Sequence, residues 1–88
     1  MPALSTNDAE VLALSALAAT LSDERRARRF LDLSGIETCD LRDRAGEPAL
    51  LAALIRFLEA HEPDLVAVAD AIGAMPEQLV AAREALEA

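Results

Sequence analysis

Four arginines within five residues, Arg25, Arg26, Arg28 and Arg29, form the densest cluster of chemistry-bearing side chains in the chain. A guanidinium presents paired N–H donors that match carboxylate and phosphate oxygens. The cluster therefore offers contacts to an anion or to an acidic partner. At helical spacing Arg25, Arg28 and Arg29 fall opposite the apolar face of Ala27, Phe30 and Leu31. The same spacing permits Glu24–Arg28 and Arg28–Asp32 pairs at i,i+4, each contributing about 0.2–0.5 kcal/mol. A solvated charged face is the simpler expectation for this stripe, with Arg25, Arg28 and Arg29 as its candidate contacts.

The other reactive residue types are sparse. His61 has no second His or Cys at ligand spacing, so it makes no zinc site. It is expected at the end of a helix, against the negative pole of the dipole. Cys39 falls in the first turn of a short helix, where a thiolate is favoured, but no base accompanies it, and a half-buried structural thiol is expected. Asp40/Asp43 and Glu84/Glu87 read as surface charge and not as a general acid–base pair. No glycine-rich phosphate loop is present. No catalytic residue, cofactor or metal ligand is assigned, and the chain is read as a non-enzyme.

Two segments have the spacing of a helix-turn-helix: a small residue, three residues, Gly, five residues, an aliphatic. Ala69, Gly73 and Leu79 fit it, and Leu31, Gly35 and Leu41 fit it less well. A small residue permits close packing, Gly makes the turn and the aliphatic locks the second helix. The reading helix, however, would run Glu77 to Glu84, with only Gln78 and Arg83 as donors to base edges. A glycine-terminated helix corner is the plainer reading.

Charge weighs the same way. The net charge is −8 and every basic residue is an arginine. Residues 1–44 carry six arginines against eight acids, and residues 45–88 carry two against eight. Affinity for nucleic acid comes largely from neutralised phosphates, and anionic membranes attract basic segments, so neither is an expected partner. One cysteine in 88 residues allows no internal disulfide and fits a reducing, cytoplasmic setting. The N-terminus has no basic region followed by an apolar run. The longest nearly uncharged apolar stretch, Val11 to Leu21, is too short to span a bilayer.

The elements that must position these residues are helices. Hydrophobic residues make up 53% of the chain and aromatics 2%; most of the hydrophobic share is Ala and Leu, strong helix formers. Residues 1–6 read as a flexible lead and 7–88 as one helical domain. Asn7, with Glu10 three residues on, predicts the first cap and a helix over about 8–21 whose inward face is Val11, Leu14, Leu17, Ala18 and Leu21. Ser22 is expected to cap the second helix, with Gly35 ending it in a left-handed conformation and Ile36 as its apolar clasp. A short third helix starts after Thr38, points Leu41 inward and stops at Gly46. Pro48 opens the fourth, where Leu50, Leu51, Leu54, Ile55, Phe57 and Leu58 cover half the circumference and mark a central helix. Pro63 opens the fifth, with Leu65, Val68, Ala69 and Ile72 aligned and Gly73 as its stop. Pro76 opens the sixth, with Leu79, Ala82 and Leu86 inward. The order of long helix, second helix, Gly stop and third helix occurs twice, which suggests two stacked three-helix units.

Three segments together carry a resemblance. They are the Ala/Leu-rich run Leu12–Ala18, the segment Arg29-Phe-Leu-Asp-Leu-Ser-Gly-Ile36, and Asp40-Leu-Arg-Asp-Arg-Ala-Gly-Glu-Pro48. In order and spacing the chain resembles, over about residues 9–86, the small bacterial proteins of the family DUF3572, a domain of unknown function. Met75-Pro76-Glu77 departs from the pattern, where an acidic or polar cap is expected before the proline. The resemblance implies a helical fold and no particular activity. The expected fold is thus an all-α bundle of five or six short helices. The expected role is a protein-interaction or adaptor domain, whose partner is another protein or a second copy. A helix-turn-helix regulator is the alternative. Leu12, Leu33, Val66 and Val80 fall off the inward faces; of these, Leu12, Val66 and Val80 are the candidate partner surface.

Overall fold

Prolines and glycines partition the chain. In the computed structural model, which describes residues 5–88, the helices are α1 (Thr6–Leu21), α2 (Glu24–Ser34), α3 (Thr38–Arg44), α4 (Pro48–Glu59), α5 (Glu62–Ala71) and α6 (Pro76–Glu87). Pro48, Pro63 and Pro76 each stand in the first turn of a helix, where a missing N–H leaves no hydrogen bond unmade. Gly35 and Gly73 have φ of 72° and 71°. Gly35 N–H donates to the Leu31 carbonyl at 3.0 Å. At the other corner Gly73 N–H donates to Asp70 and Ala74 N–H to Ala69, the paired Schellman bonds that satisfy two orphan carbonyls.

The caps of the first two helices differ from expectation by one or two residues, for a local reason each time. The first cap is Ser5 and not Asn7: its Oγ accepts from Asp8 N–H at 3.1 Å. Of the expected lead, residues 1–4 lie outside the described residues, while Thr6 already belongs to α1. Asp23 and not Ser22 caps α2, its Oδ1 accepting from Arg26 N–H at 2.9 Å. Ser22 instead closes α1, where its hydroxyl donates to the Ala18 carbonyl. Where Met75 offers no oxygen, Gln78 Oε1 reaches back and accepts from Met75 N–H at 2.7 Å.

α4 is the centre. Leu51, Leu54, Ile55 and Leu58 have no exposed surface, and the helix packs against α1, α2, α5 and α6. α1 and α6 lie against each other as well as against α4. α2 leans on α1 and α4, and α3 stays at the edge with Leu41 as its one buried residue. Two equivalent three-helix units therefore do not form, because α6 is wedged between α1 and α4 while its counterpart α3 is peripheral. The radius of gyration is 11.9 Å, matching about 12 Å for a compact chain of this length.

α1 is rotated relative to the sequence reading. Its buried residues are Ala9, Ala13, Ala16, Leu17 and Thr20, whereas Val11, Leu14 and Leu21 are exposed and Leu12 is half-buried against the core. The cause is volume. α4 fills the shared space with large aliphatic side chains, so its neighbour must present small ones for the interior to close at native density. The Thr20 hydroxyl, fully buried, donates to the Ala16 carbonyl at 2.8 Å, which removes the cost of its burial.

Candidate functional site

The arginine cluster divides its work. Arg26 Nε donates to Asp64 Oδ1 at 3.0 Å, and Arg29 Nη2 stands 2.9 Å from Asp64 Oδ2. Asp64 is buried near the start of α5, so this clasp ties α2 to α5. Burial pushes the Asp64 carboxyl up, but the hydrogen bonds and charges of Arg26 and Arg29 outweigh it and hold the carboxyl below its ordinary value. The i,i+4 pairs expected from Glu24 and Asp32 to Arg28 do not form among the described residues; Arg26 pairs instead with Asp23 and Asp64. No local spacing links Arg26 to Asp64, 38 residues apart, so sequence periodicity had no means of finding this contact.

Beyond its carboxylate, Arg29 lies over the Phe57 ring, 5.4 Å from the centroid. Phe57 in turn meets Phe30 edge-on at 5.5 Å. These aromatics floor an open groove of about 430 Å³ between α2 and α4. Leu33, Ala53 and Ala60 form its apolar sides, and Arg29 and His61 stand at its rim. Leu33 is 76% exposed. Along the outer side of α2 a second depression runs past Arg25, Arg28 and Arg29, with Glu24 and Asp32 beside them. The two share Arg29. The structure thus brings Arg25, Arg28 and Arg29 together, with Arg25 and Arg28 exposed and Arg29 committed to Asp64.

Of the candidate partner surface, Val66 and Val80 line depressions that share Glu62. Val66 is 47% exposed and borders a depression with Pro63 and Asp70. Val80 is half-buried and borders a different one with Leu65 and Pro76. Leu12 packs on the core. The residues that sequence reasoning missed are those on the outer side of α1, for the packing reason given above.

Of the remaining candidates, Cys39 and Glu87 depart from expectation, while His61 stands at the end of α4 as expected. Cys39 is exposed, not half-buried, because α3 turns only Leu41 inward. His61 follows Ala60, the end of α4, and is the residue from which α5 starts. Among the described residues no group of three His, Cys, Asp or Glu side chains could hold a metal ion. Glu87 is not simply surface charge: it joins Arg56 at 2.6 Å and Arg83 at 2.8 Å, while Arg83 also reaches Glu59. Hydrogen bonding to Arg56 lowers the Glu87 carboxyl, and the bond to Glu59 raises the Arg83 guanidinium. This network pins α6 to α4.

The corner between α5 and α6 turns through 97°, within the roughly 90–120° of a helix-turn-helix. The outward residues of α6 are Glu77, Gln78, Ala81, Glu84 and Glu87. Arg83, its one cation, is engaged by Glu59 and Glu87. Among the described residues no single helix is long and apolar enough to cross a membrane.

The chain belongs to the family described as protein of unknown function (DUF3572), whose model matches residues 6–88. No curated protein and no solved structure matches it.

Proposed function

We propose that this member of the family is a non-enzymatic protein-interaction domain, and that its α2–α4 groove receives an amphipathic, acidic segment of a partner protein. The observation that carries this reading is Leu33, 76% exposed at the edge of an aromatic-floored groove, next to a depression lined by Arg25 and Arg28, which have no ion-pair partner among the described residues. An apolar anchor on the segment would cover Leu33 and Phe57, and its carboxylates would meet Arg25 and Arg28. Magnitudes assign the roles. Covering one large aliphatic side chain contributes about 1.5–3 kcal/mol, whereas an exposed ion pair contributes about 0–1 kcal/mol. The groove supplies the affinity, and the arginines set register and choice of partner. A lone exposed thiol suits a reducing compartment, and the bacterial cytoplasm is the setting of this reading.

The test compares capture from native cell extract by the parent chain, Leu33→Asp and the double variant Arg25→Glu, Arg28→Glu. All three positions are exposed, so folding should be intact, as circular dichroism would verify. The expected result is a protein retained by the parent and lost by both variants. An identical set of proteins retained by all three would defeat the proposal.

The 97° corner favours a second reading, DNA binding through α6. Glu77 and Glu84 would face phosphate there, which counts against it. Titrating labelled duplex in about 0.15 M salt, where charges are screened beyond about 8 Å, separates the two. Submicromolar affinity would promote the DNA reading.

A further inference from the structure

A second surface stands apart from the groove. Val11, Leu14, Ala18 and Leu21 are exposed along one side of α1. Their spacing of three, four and three residues is the a/d repeat of a coiled-coil seam. A short seam of this kind gives a helix a face on which another helix can pack, and none of the described residues covers it.

We propose that the outer face of α1 is a self-association surface, on which a second copy of the chain lays its own α1 antiparallel, about a two-fold axis level with residue 16. Four observations choose this occupant. First, the stretch from Val11 to Ser22 contains no charged residue, in a chain of net charge −8. Two copies repel at most approaches, and this face is one on which they can meet without opposing like charges. Second, the seam is complementary to its own reversed copy. An axis at residue 16 sets Val11 opposite Leu21 and Leu14 opposite Ala18, so each layer pairs a larger with a smaller or similar side chain, as close packing requires. Third, the two serines beside the seam are already satisfied within the helix. Ser15 Oγ donates to the Val11 carbonyl at 3.1 Å and Ser22 Oγ to the Ala18 carbonyl at 2.9 Å, so covering them leaves no unmet donor. Fourth, the antiparallel sense places the Asp8 residues in the first turns of α1 at opposite ends of the contact and aligns the two helix dipoles favourably.

Size sets the strength. A 16-residue helix is about 24 Å long, and one helix pair buries less than the roughly 800 Å² per partner of a standard interface. The dimer is therefore reversible and depends on concentration. This inference uses a different face from the α2–α4 groove and stands or falls independently of it.

Sedimentation equilibrium of the full chain, from micromolar to millimolar concentration, tests the association. The weight-average mass should climb from one chain towards two, and Leu14→Glu should hold it at one chain throughout. Leu14 is exposed, so the variant keeps its fold, checked by its melting curve. Orientation is read by cysteine cross-linking in a Cys39→Ser background. In an antiparallel pair Ser15 flanks Ser15 of the other copy, so Ser15→Cys should oxidise to a covalent dimer. Ala18→Cys, facing Leu14, should do so poorly. A constant single-chain mass, or equal association of Leu14→Glu, would overturn the proposal. Efficient linkage through Ala18→Cys with none through Ser15→Cys would overturn the antiparallel arrangement.

Discussion

α1 and α4 are built from the same two residues, Ala and Leu, yet they use them in opposite ways. α4 buries its leucines and leaves Ala49 and Ala53 exposed. α1 buries Ala9, Ala13 and Ala16 and exposes Val11 and Leu14. Both helices are apolar around most of their circumference, so hydrophobicity alone does not choose the inward face of either. Side-chain volume does. The helix at the centre takes the large residues, and the helix packed on it takes the small ones. Apolar area left over on α1 is then the by-product of a good fit, and it becomes available for other contacts.

The largest expected effect lies on α4. Leu54→Ala should cost about 2–5 kcal/mol, measured by urea denaturation, because Leu54 has no exposed surface and the helices around it cannot collapse into the gap. A loss near zero would mean that α4 is not the centre. The complementary change is Ala16→Leu. If α1 is fitted by smallness, overpacking should cost about 1–3 kcal/mol, although leucine is the more hydrophobic residue. A variant as stable as the parent would show slack between α1 and α4. Next come the corners. Gly73→Ala should cost about 1–2 kcal/mol from the left-handed conformation, with no added clash against the rest of the fold, since a Cβ there meets nothing within 4 Å beyond its chain neighbours.

The clasp gives a pH signature. Asp64 in the folded chain lies below its ordinary pKa, so its contribution is complete above about pH 4, the unfolded value, and is lost as pH falls through the folded value. Denaturation midpoints from pH 7 to pH 2 should therefore fall less steeply below about pH 4 in Asp64→Asn than in the parent. Parallel profiles would show that Arg26 and Arg29 do not hold the carboxylate. The smallest effect is back on α1. Leu14→Ala should change the stability of the single chain by no more than about 0.5 kcal/mol, two residues before an alanine whose enlargement costs several times that.

What could be read from the sequence follows the same division. The stops at Gly35 and Gly73, the proline starts and the inward stripe of α4 are local signals, and each was legible because one residue type has one backbone consequence. Leu33 and Val66 were also legible as exposed, since they break their helices' periodicity. The face of α1 was not, because its selection depends on the size of residues some forty positions away. The Arg26–Asp64 clasp was hidden for a related reason. Arg29 looked solvated beside Arg25 and Arg28, and only the approach of α5 distinguishes it from them.

α3 brings a different consequence. It is a seven-residue helix between Ser34 and Pro48, with Leu41 as its one buried residue and Glu37 supplying no side-chain cap. In the language of native-state hydrogen exchange, such a segment is a separate opening unit. Its amides have little to lose by leaving the fold, so they exchange through local opening while those of α4 wait for global unfolding. The same opening presents Arg42 and Arg44 to a trypsin-like protease long before Arg56 becomes reachable. The chain would then be nicked between two halves that the core of α1, α4, α5 and α6 continues to hold together.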